Sequence, residues 1–198
     1  MSGSSYTNKI DLAHLPTPIQ DITNFFNSKT GKRVLIKRDD LTGSVVSGNK
    51  IRKLEYLFKH ILDSNFDVVI SCGGIQSNHA RAVAAVCAQL SLECHLILRI
   101  PAGETSEQSG NLLLNEMLGA KVHFHEAIHY KDVKLCAEMK AKFEAEGKKA
   151  YVIPSGGSNG IGLYGYQNAM LCFPNQKNQS NRPHKIESVT AVLNIRDF

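Results

Sequence analysis

From about residue 50 onward the chain switches repeatedly between two spacings of apolar residues. Ile51, Leu54, Leu57, Phe58, Ile61 and Leu62 recur at three and four residues, which gathers them on one face of an α-helix. The next apolar run, residues 67–72, is short, rich in β-branched side chains and closed by Gly73 and Gly74, as a buried strand would be. The alternation then repeats. An alanine-rich helix over 77–90 precedes a strand over 94–99, and a helix over 107–118, stopped by Gly119, precedes a strand over 121–125. Val133, Cys136, Met139 and Phe143 line one face of a charged helix ending at Gly147, and a fourth strand covers 151–155 before another glycine pair. Short strands alternating with longer helices predict βαβ units around a parallel sheet. Such sheets bind ligands at the carboxyl ends of their strands, so the Gly-rich strand ends are where chemistry is expected.

The flanks break this pattern. Residues 1–49 carry a Pro-punctuated run from Leu15 to Ile19 and, over 34–41, a strand followed by a loop. Residues 173–183 are polar and Pro-punctuated and read as linker or disorder, while 186–198 has some strand character with no evident partner. With 198 residues and 42% hydrophobic composition the chain can bury a core. No apolar run approaches the roughly 18 residues of a membrane span. The first residues are small and polar with no secretion signal, and the first arginine is Arg33, so the expected location is cytoplasmic, with a mitochondrial one left open. Five cysteines without a C-x-x-C pair predict free thiols in a reducing compartment. The net charge of +5 comes from 23 basic residues interleaved with 18 acidic ones, without an aromatic-basic stripe, so no nucleic-acid partner is expected.

Four places could carry chemistry. Gly73 to His79 joins a strand end to a helix start, where backbone N–H groups and the helix dipole suit an anion; Ser77 and Asn78 add donors, or serve only as ordinary helix caps. Lys50 follows Ser47-Gly48-Asn49 in the first turn of a helix, where the dipole disfavours positive charge. That is the wrong end for a surface lysine and a useful one for a nucleophilic amine; the plainer reading is a solvated lysine at a frayed terminus. Gly160, Gly162 and Gly165 fit G-x-G-x-x-G, yet Pro174 and the polar stretch after it interrupt the βαβ unit that a dinucleotide needs. His123, His125 and His129 could suggest a metal, but no cysteine or carboxylate spacing supports one, and no metal is expected.

Taken together and in order, the motifs are more specific than any one of them. Thr17-Pro18, Lys37 to Thr42, Gly48-Asn49-Lys50 with Arg52 to Glu55, Gly73 to His79, and Gly156-Gly157-Ser158-Asn159 resemble the pyridoxal-phosphate-dependent family of 1-aminocyclopropane-1-carboxylate deaminases and D-cysteine desulfhydrases, over about residues 10–168. The resemblance implies an α/β, tryptophan-synthase-β-like fold (fold type II), in which a larger domain is split around a smaller parallel-sheet one. Residues 1–50 would open the larger domain, 51–160 form the complete smaller domain, 161–170 return to the larger one, and 171–198 form a divergent, disordered tail.

The resemblance also implies roles. Lys50 would hold pyridoxal 5'-phosphate covalently and later transfer protons. Lys53 would reach the cofactor phosphate, and Asn78 the cofactor's phenolic oxygen. Ser77 would bind the substrate carboxylate or act as the polar catalytic group beside it, with Asn78 and His79 completing the substrate site. The activity implied is that of a lyase converting D-cysteine to pyruvate, ammonia and hydrogen sulfide. Deamination of 1-aminocyclopropane-1-carboxylate is the alternative, and His79 after Ser-Asn favours the desulfhydrase. Full-length relatives are expected to be homodimers acting on small amino acids. Family members run further, and their phosphate-cradling Gly/Thr loop, pyridine-nitrogen partner and catalytic tyrosine are not recognisable in 171–198. The expectation is therefore a truncated chain that folds its smaller domain and binds cofactor weakly or serves only as a folded remnant.

Overall fold

The computed structural model describes residues 8–26, 34–103, 108–126 and 129–177. Two short strands, β1 (Ile19–Asp21) and β2 (Leu35–Lys37), pair antiparallel with Ile19 opposite Lys37. Helix α1 (Ile51–Asp63) leads into β3 (Val68–Gly74), α2 (Asn78–Gln89), β4 (Glu93–Ile100), α3 (Gly110–Met117), β5 (Lys121–Glu126), α4 (His129–Ala145), β6 (Ala150–Ile153) and α5 (Gly160–Lys177). Strands β3 to β6 form one parallel sheet in the order β5-β4-β3-β6.

Both faces of this sheet are covered, which is why its central strands read as continuous apolar runs. Val69, Cys94, Leu96, Leu98 and Ile153 pack with α1, α2 and α3, through residues such as Leu54, Phe58, Val83 and Leu112. The alternate set, Val68, Ile70, Cys72, Ile97 and Ala150, packs against Cys136 and Phe143 of α4. The period-two alternation of strand side chains thus divides the core into two layers.

Several boundaries differ from the sequence expectation. The first strand of the β1–β2 pair has no local signature, because its pairing depends on a segment sixteen residues on. Helix α3 starts at Gly110, not at Glu107, since Ser109 is extended; residues 104–107 lie outside the described set. Strand β6 stops at Ile153 because Pro154 has no N–H to continue the ladder, and Ser155 to Gly157 form a single 3₁₀ turn instead. The largest difference is at the end of the chain. Helix α5 continues to Lys177, past the point where a linker is expected; Pro174 near its end removes one backbone donor without stopping it. Residues 178–198 lie outside the described set.

Helix α5 packs closely on α1. A Cβ on Gly165 would collide with the Arg52 carbonyl of α1; one on Gly162 would collide instead with the Gly157 carbonyl, in the turn that leads into α5. The N-terminal segment is tied to the same helix by buried polar groups. Glu55 accepts from Leu12 N (3.1 Å) and Ala13 N (3.0 Å) and pairs with Lys9 at 3.1 Å. The Arg52 guanidinium meets Asp39 through two 2.7 Å hydrogen bonds and also reaches Thr17 Oγ1 at 3.1 Å. Helix α1 is therefore fixed against the sheet, the N-terminal segment and α5 together.

Candidate active site

Lys50 sits at the cap position of α1, entered through Gly48, whose φ of +96° a side chain would resist. Its Nζ makes no hydrogen bond or ion pair with a described residue. The adjacent Asn49 is held from across the chain, its Nδ2 donating to Tyr166 Oη at 2.6 Å, while its buried Oδ1 has no partner among the described residues. The turn after β6 lies against the lysine. Gly156 and Gly157 are both left-handed (φ +67° and +64°), and a Cβ on Gly156 would come to 3.4 Å from Lys50 Cε. Lys53, one helical turn on, donates to Gly156 O at 3.2 Å and Ser158 Oγ at 2.8 Å, so it braces this turn. Burial first, and then the charge of Lys50, lowers the Lys53 pKa.

The loop after β3 lies beside that turn, because β3 and β6 are neighbouring parallel strands with Ser71 opposite Ile153. Ser77 is the extended N-cap of α2, and its Oγ accepts from Ala80 N at 3.2 Å. A Cβ on Gly73 would come within 2.7 Å of that oxygen, so this glycine lets the strand end and the cap approach. Asn78 opens the helix with its Oδ1 accepting from Asn111 Nδ2 at 3.0 Å. His79 is only 4% exposed. Its Nε2 lies 3.3 Å from Ser71 Oγ, which itself donates to the Ile153 carbonyl at 3.0 Å; the imidazole therefore carries its proton on Nε2. Nδ1 is buried without a partner among the described residues. Burial and then the Lys50 charge bring the His79 pKa down to about 4, so the ring is neutral at physiological pH.

Lys50, Lys53, Ser77, Asn78 and His79, far apart in sequence, thus stand on the adjoining ends of β3 and β6 and the starts of α1 and α2. The other two candidates do not join them. Gly162 and Gly165 both lie within helix α5, where Gly165 lets it approach α1 and Gly162 lets it approach the Gly157 carbonyl in the turn before it, not in a dinucleotide-binding turn. His123 hydrogen-bonds to His95 at 2.9 Å, and His125 lies 2.8 Å from Asp132; nothing is described of the His129 side chain. Among the described residues no group of three or more His, Cys, Asp or Glu side chains could hold a metal ion. Reading the sequence missed Tyr166 and Asn111. Tyr166 has no local signal beyond its place beside Gly165, whereas Asn111 is flagged only by the Ser109-Gly110 break that starts α3.

The site fits pyridoxal phosphate on two observations. A lysine amine without a partner among the described residues stands beside a turn of two left-handed glycines, and polar donors line the adjoining helix start. Comparison with known proteins agrees. Residues 10–180 match the family described as pyridoxal-phosphate dependent enzyme. The chain is 45% identical over 192 residues to the mitochondrial bifunctional D-cysteine desulfhydrase/1-aminocyclopropane-1-carboxylate deaminase of Arabidopsis thaliana, covering 94% of this chain and 48% of that protein. It is 38% identical over 176 residues to the D-cysteine desulfhydrase of Serratia proteamaculans, covering 87% of this chain and 53% of the relative. A crystal structure of an ACC deaminase homologue superposes with a TM-score of 0.77 at 38% identity, over 85% of this chain and 51% of that one. The chain spans about half the length of the curated relatives it matches. No helix among the described residues is long and apolar enough to cross a membrane. The match over most of its length, on a parallel α/β sheet shared with a close structural neighbour, makes this chain a member of the pyridoxal-phosphate dependent enzyme family.

Proposed function

We propose that the chain carries the lysine-bearing half of a D-cysteine desulfhydrase-like lyase, which converts D-cysteine to pyruvate, ammonia and hydrogen sulfide. The single observation that carries this reading is the Lys50 amine, unpaired among the described residues, against the Gly156-Gly157 turn. When bound, pyridoxal phosphate supplies the electron sink that accepts the charge left on the substrate Cα. Lys50 holds the cofactor and takes the Cα proton at Nζ. Lys53, already fastened to Gly156 and Ser158, keeps the turn closed and places a positive charge near the phosphate. Asn78 donates to the phenolic oxygen. Ser77, at the N-terminus of α2, meets the substrate carboxylate, where backbone N–H groups and the helix dipole favour an anion. His79, buried and neutral, forms the wall behind this helix start and excludes water from it.

Residues 51–160 are read as the smaller α/β domain, with 1–50 and 161–170 belonging to a larger one. The relatives' greater length supports this, as do the apolar side chains Leu163, Tyr164, Met170 and Leu171 left exposed on α5. A second reading, deamination of 1-aminocyclopropane-1-carboxylate, is favoured by the names of the Arabidopsis relative and of the structural neighbour. The experiment is a pyridoxal phosphate titration of the wild-type chain and of Lys50→Ala, followed by assays for sulfide from D-cysteine and ammonia from 1-aminocyclopropane-1-carboxylate. The expected outcome is a saturable absorbance band present only in wild type, with sulfide released. A band of equal strength in Lys50→Ala would sink the assignment of Lys50. A band without either product would make the chain a cofactor-binding remnant.

A further inference from the structure

We propose that Asn111 is a positioning residue for Asn78, holding the Asn78 amide in the one orientation that leaves its Nδ2 as a donor for the cofactor. This inference rests on the reading of Asn78 as a cofactor ligand. The argument is one of hydrogen-bond direction. Asn111 Nδ2 lies 2.7 Å from the Gln76 carbonyl oxygen, and a carbonyl can only accept. Asn111 Oδ1 lies 3.2 Å from Arg81 Nη1, and a guanidinium can only donate. Two partners of unambiguous role therefore fix which end of the Asn111 amide is which, a matter that distances to other amides would leave open. With that settled, the Asn78 atom 3.0 Å from Asn111 Nδ2 must be an acceptor, its Oδ1. Asn78 Nδ2 then faces away from Asn111 and makes no hydrogen bond to a described residue.

The rest of the contact is built to keep this geometry. Gln76 Oε1 accepts from Asn111 N at 2.8 Å, doing for α3 what its own cap Ser109 does not, since the Ser109 side chain makes no capping bond. Gln76 Nε2 donates to the Ser109 carbonyl at 3.1 Å. Gly110 is left-handed (φ +55°), and a Cβ there would come to 2.6 Å from Gln76 Oε1, so the interlock needs glycine at this position. Arg81 extends the network to the lysine side: its Nη2 donates to Ser47 Oγ at 3.1 Å, three residues before Lys50. Asn111 thus joins the loop of Asn78, the start of α3 and the turn that carries Lys50.

The test uses the full chain with pyridoxal phosphate as the probe. Asn111→Asp keeps the size and the Arg81 contact but cannot donate, so the Asn78 amide turns over to donate to the new carboxylate and presents Oδ1 to the cofactor. The Lys50-dependent band should then require at least about tenfold more cofactor, the scale of one lost hydrogen bond. Its pH titration should also move. Because Asn111 acts through Asn78, Asn111→Asp combined with Asn78→Ala should bind no more weakly than Asn78→Ala alone. Unchanged binding in Asn111→Asp, or losses that add in the double variant, would overturn the proposal while leaving the lysine assignment intact. If wild type shows no Lys50-dependent band, the cofactor reading fails. The proposal then falls with it as a cofactor role, and the side-chain amide NMR signals of Asn78 decide separately whether Asn111 sets its orientation: unmoved signals on Asn111→Asp refute the amide contact itself. Asn111→Ala serves the same comparisons should the aspartate variant not fold.

Discussion

At the residue scale, the site combines groups whose sequence neighbours say little about their state. His79 follows a capping pair on a helix, which by itself suits either a surface or a core position. Its burial against Ser71 and beside Lys50 is tertiary, and it sets the protonation state. The consequence for stability has a definite sign. An unfolded histidine titrates near 6.5 and the folded one near 4, so between those values the unfolded chain binds more protons. This contribution, about 3 kcal/mol in full, is present above pH 6.5 and is lost as the pH falls toward 4. Glu93, held down to about 2 by Lys121, Lys148 and His95, acts lower: its contribution is present above 4.5 and lost toward 2. Urea unfolding of His79→Gln should show a shallower loss between pH 6.5 and 4 than wild type, with the loss below 4 unchanged. Some slope should remain in the upper window, because burial also lowers the pKa of His95 and His123. A wild-type slope in the variant would refute the account of His79.

At the scale of elements, helices α1 to α4 and the four parallel strands are legible because their periods differ and because Gly119 and Gly147 mark helix ends, whereas α5 is not. Register, strand order and the meaning of the other glycines are not either. Gly160, Gly162 and Gly165 look alike in sequence, yet they face different neighbours. Gly165 lies on the Arg52 carbonyl, whereas no atom of the described residues comes within 4 Å of the place where a Gly160 Cβ would stand. Gly165→Ala should force α5 away from α1 and cost about 1–3 kcal/mol in denaturant unfolding. Gly160→Ala should stay within about 0.5 kcal/mol of wild type. Equal effects at the two positions would show that α5 does not pack on α1 through this face. The linker expected over 173–183 gives way to helix as far as Lys177 for a related reason. The polar, Pro-containing composition weighs against a helix locally, while α5 is held by contacts to α1, such as Asn168 Nδ2 to Tyr56 Oη at 3.1 Å.

For the whole molecule, the organising element is α1. Lys50 stands at its start, Lys53 braces the β6 turn, and Arg52 and Glu55 bind the N-terminal segment on another side. Asp39→Asn would leave the Arg52 guanidinium buried without its counter-charge, and breaking such a pair costs about 3 kcal/mol or more. Chemical unfolding should show that loss, together with weaker cofactor binding, since the lysine turn is anchored to the same helix. A variant as stable as wild type would mean that the N-terminal segment is not part of the cooperative unit. The sequence by itself determined the fold class and the glycine-rich strand ends, and it singled out the lysine–serine–asparagine set as candidates, because hydrophobic period, turn chemistry and motif order are local properties. Only the tertiary structure decided which strands adjoin, that His79 is neutral, that Gly162 and Gly165 serve packing, and which way the amides of Asn78 and Asn111 point. Those outcomes depend on burial and on partners thirty or more residues away, and no local pattern encodes either.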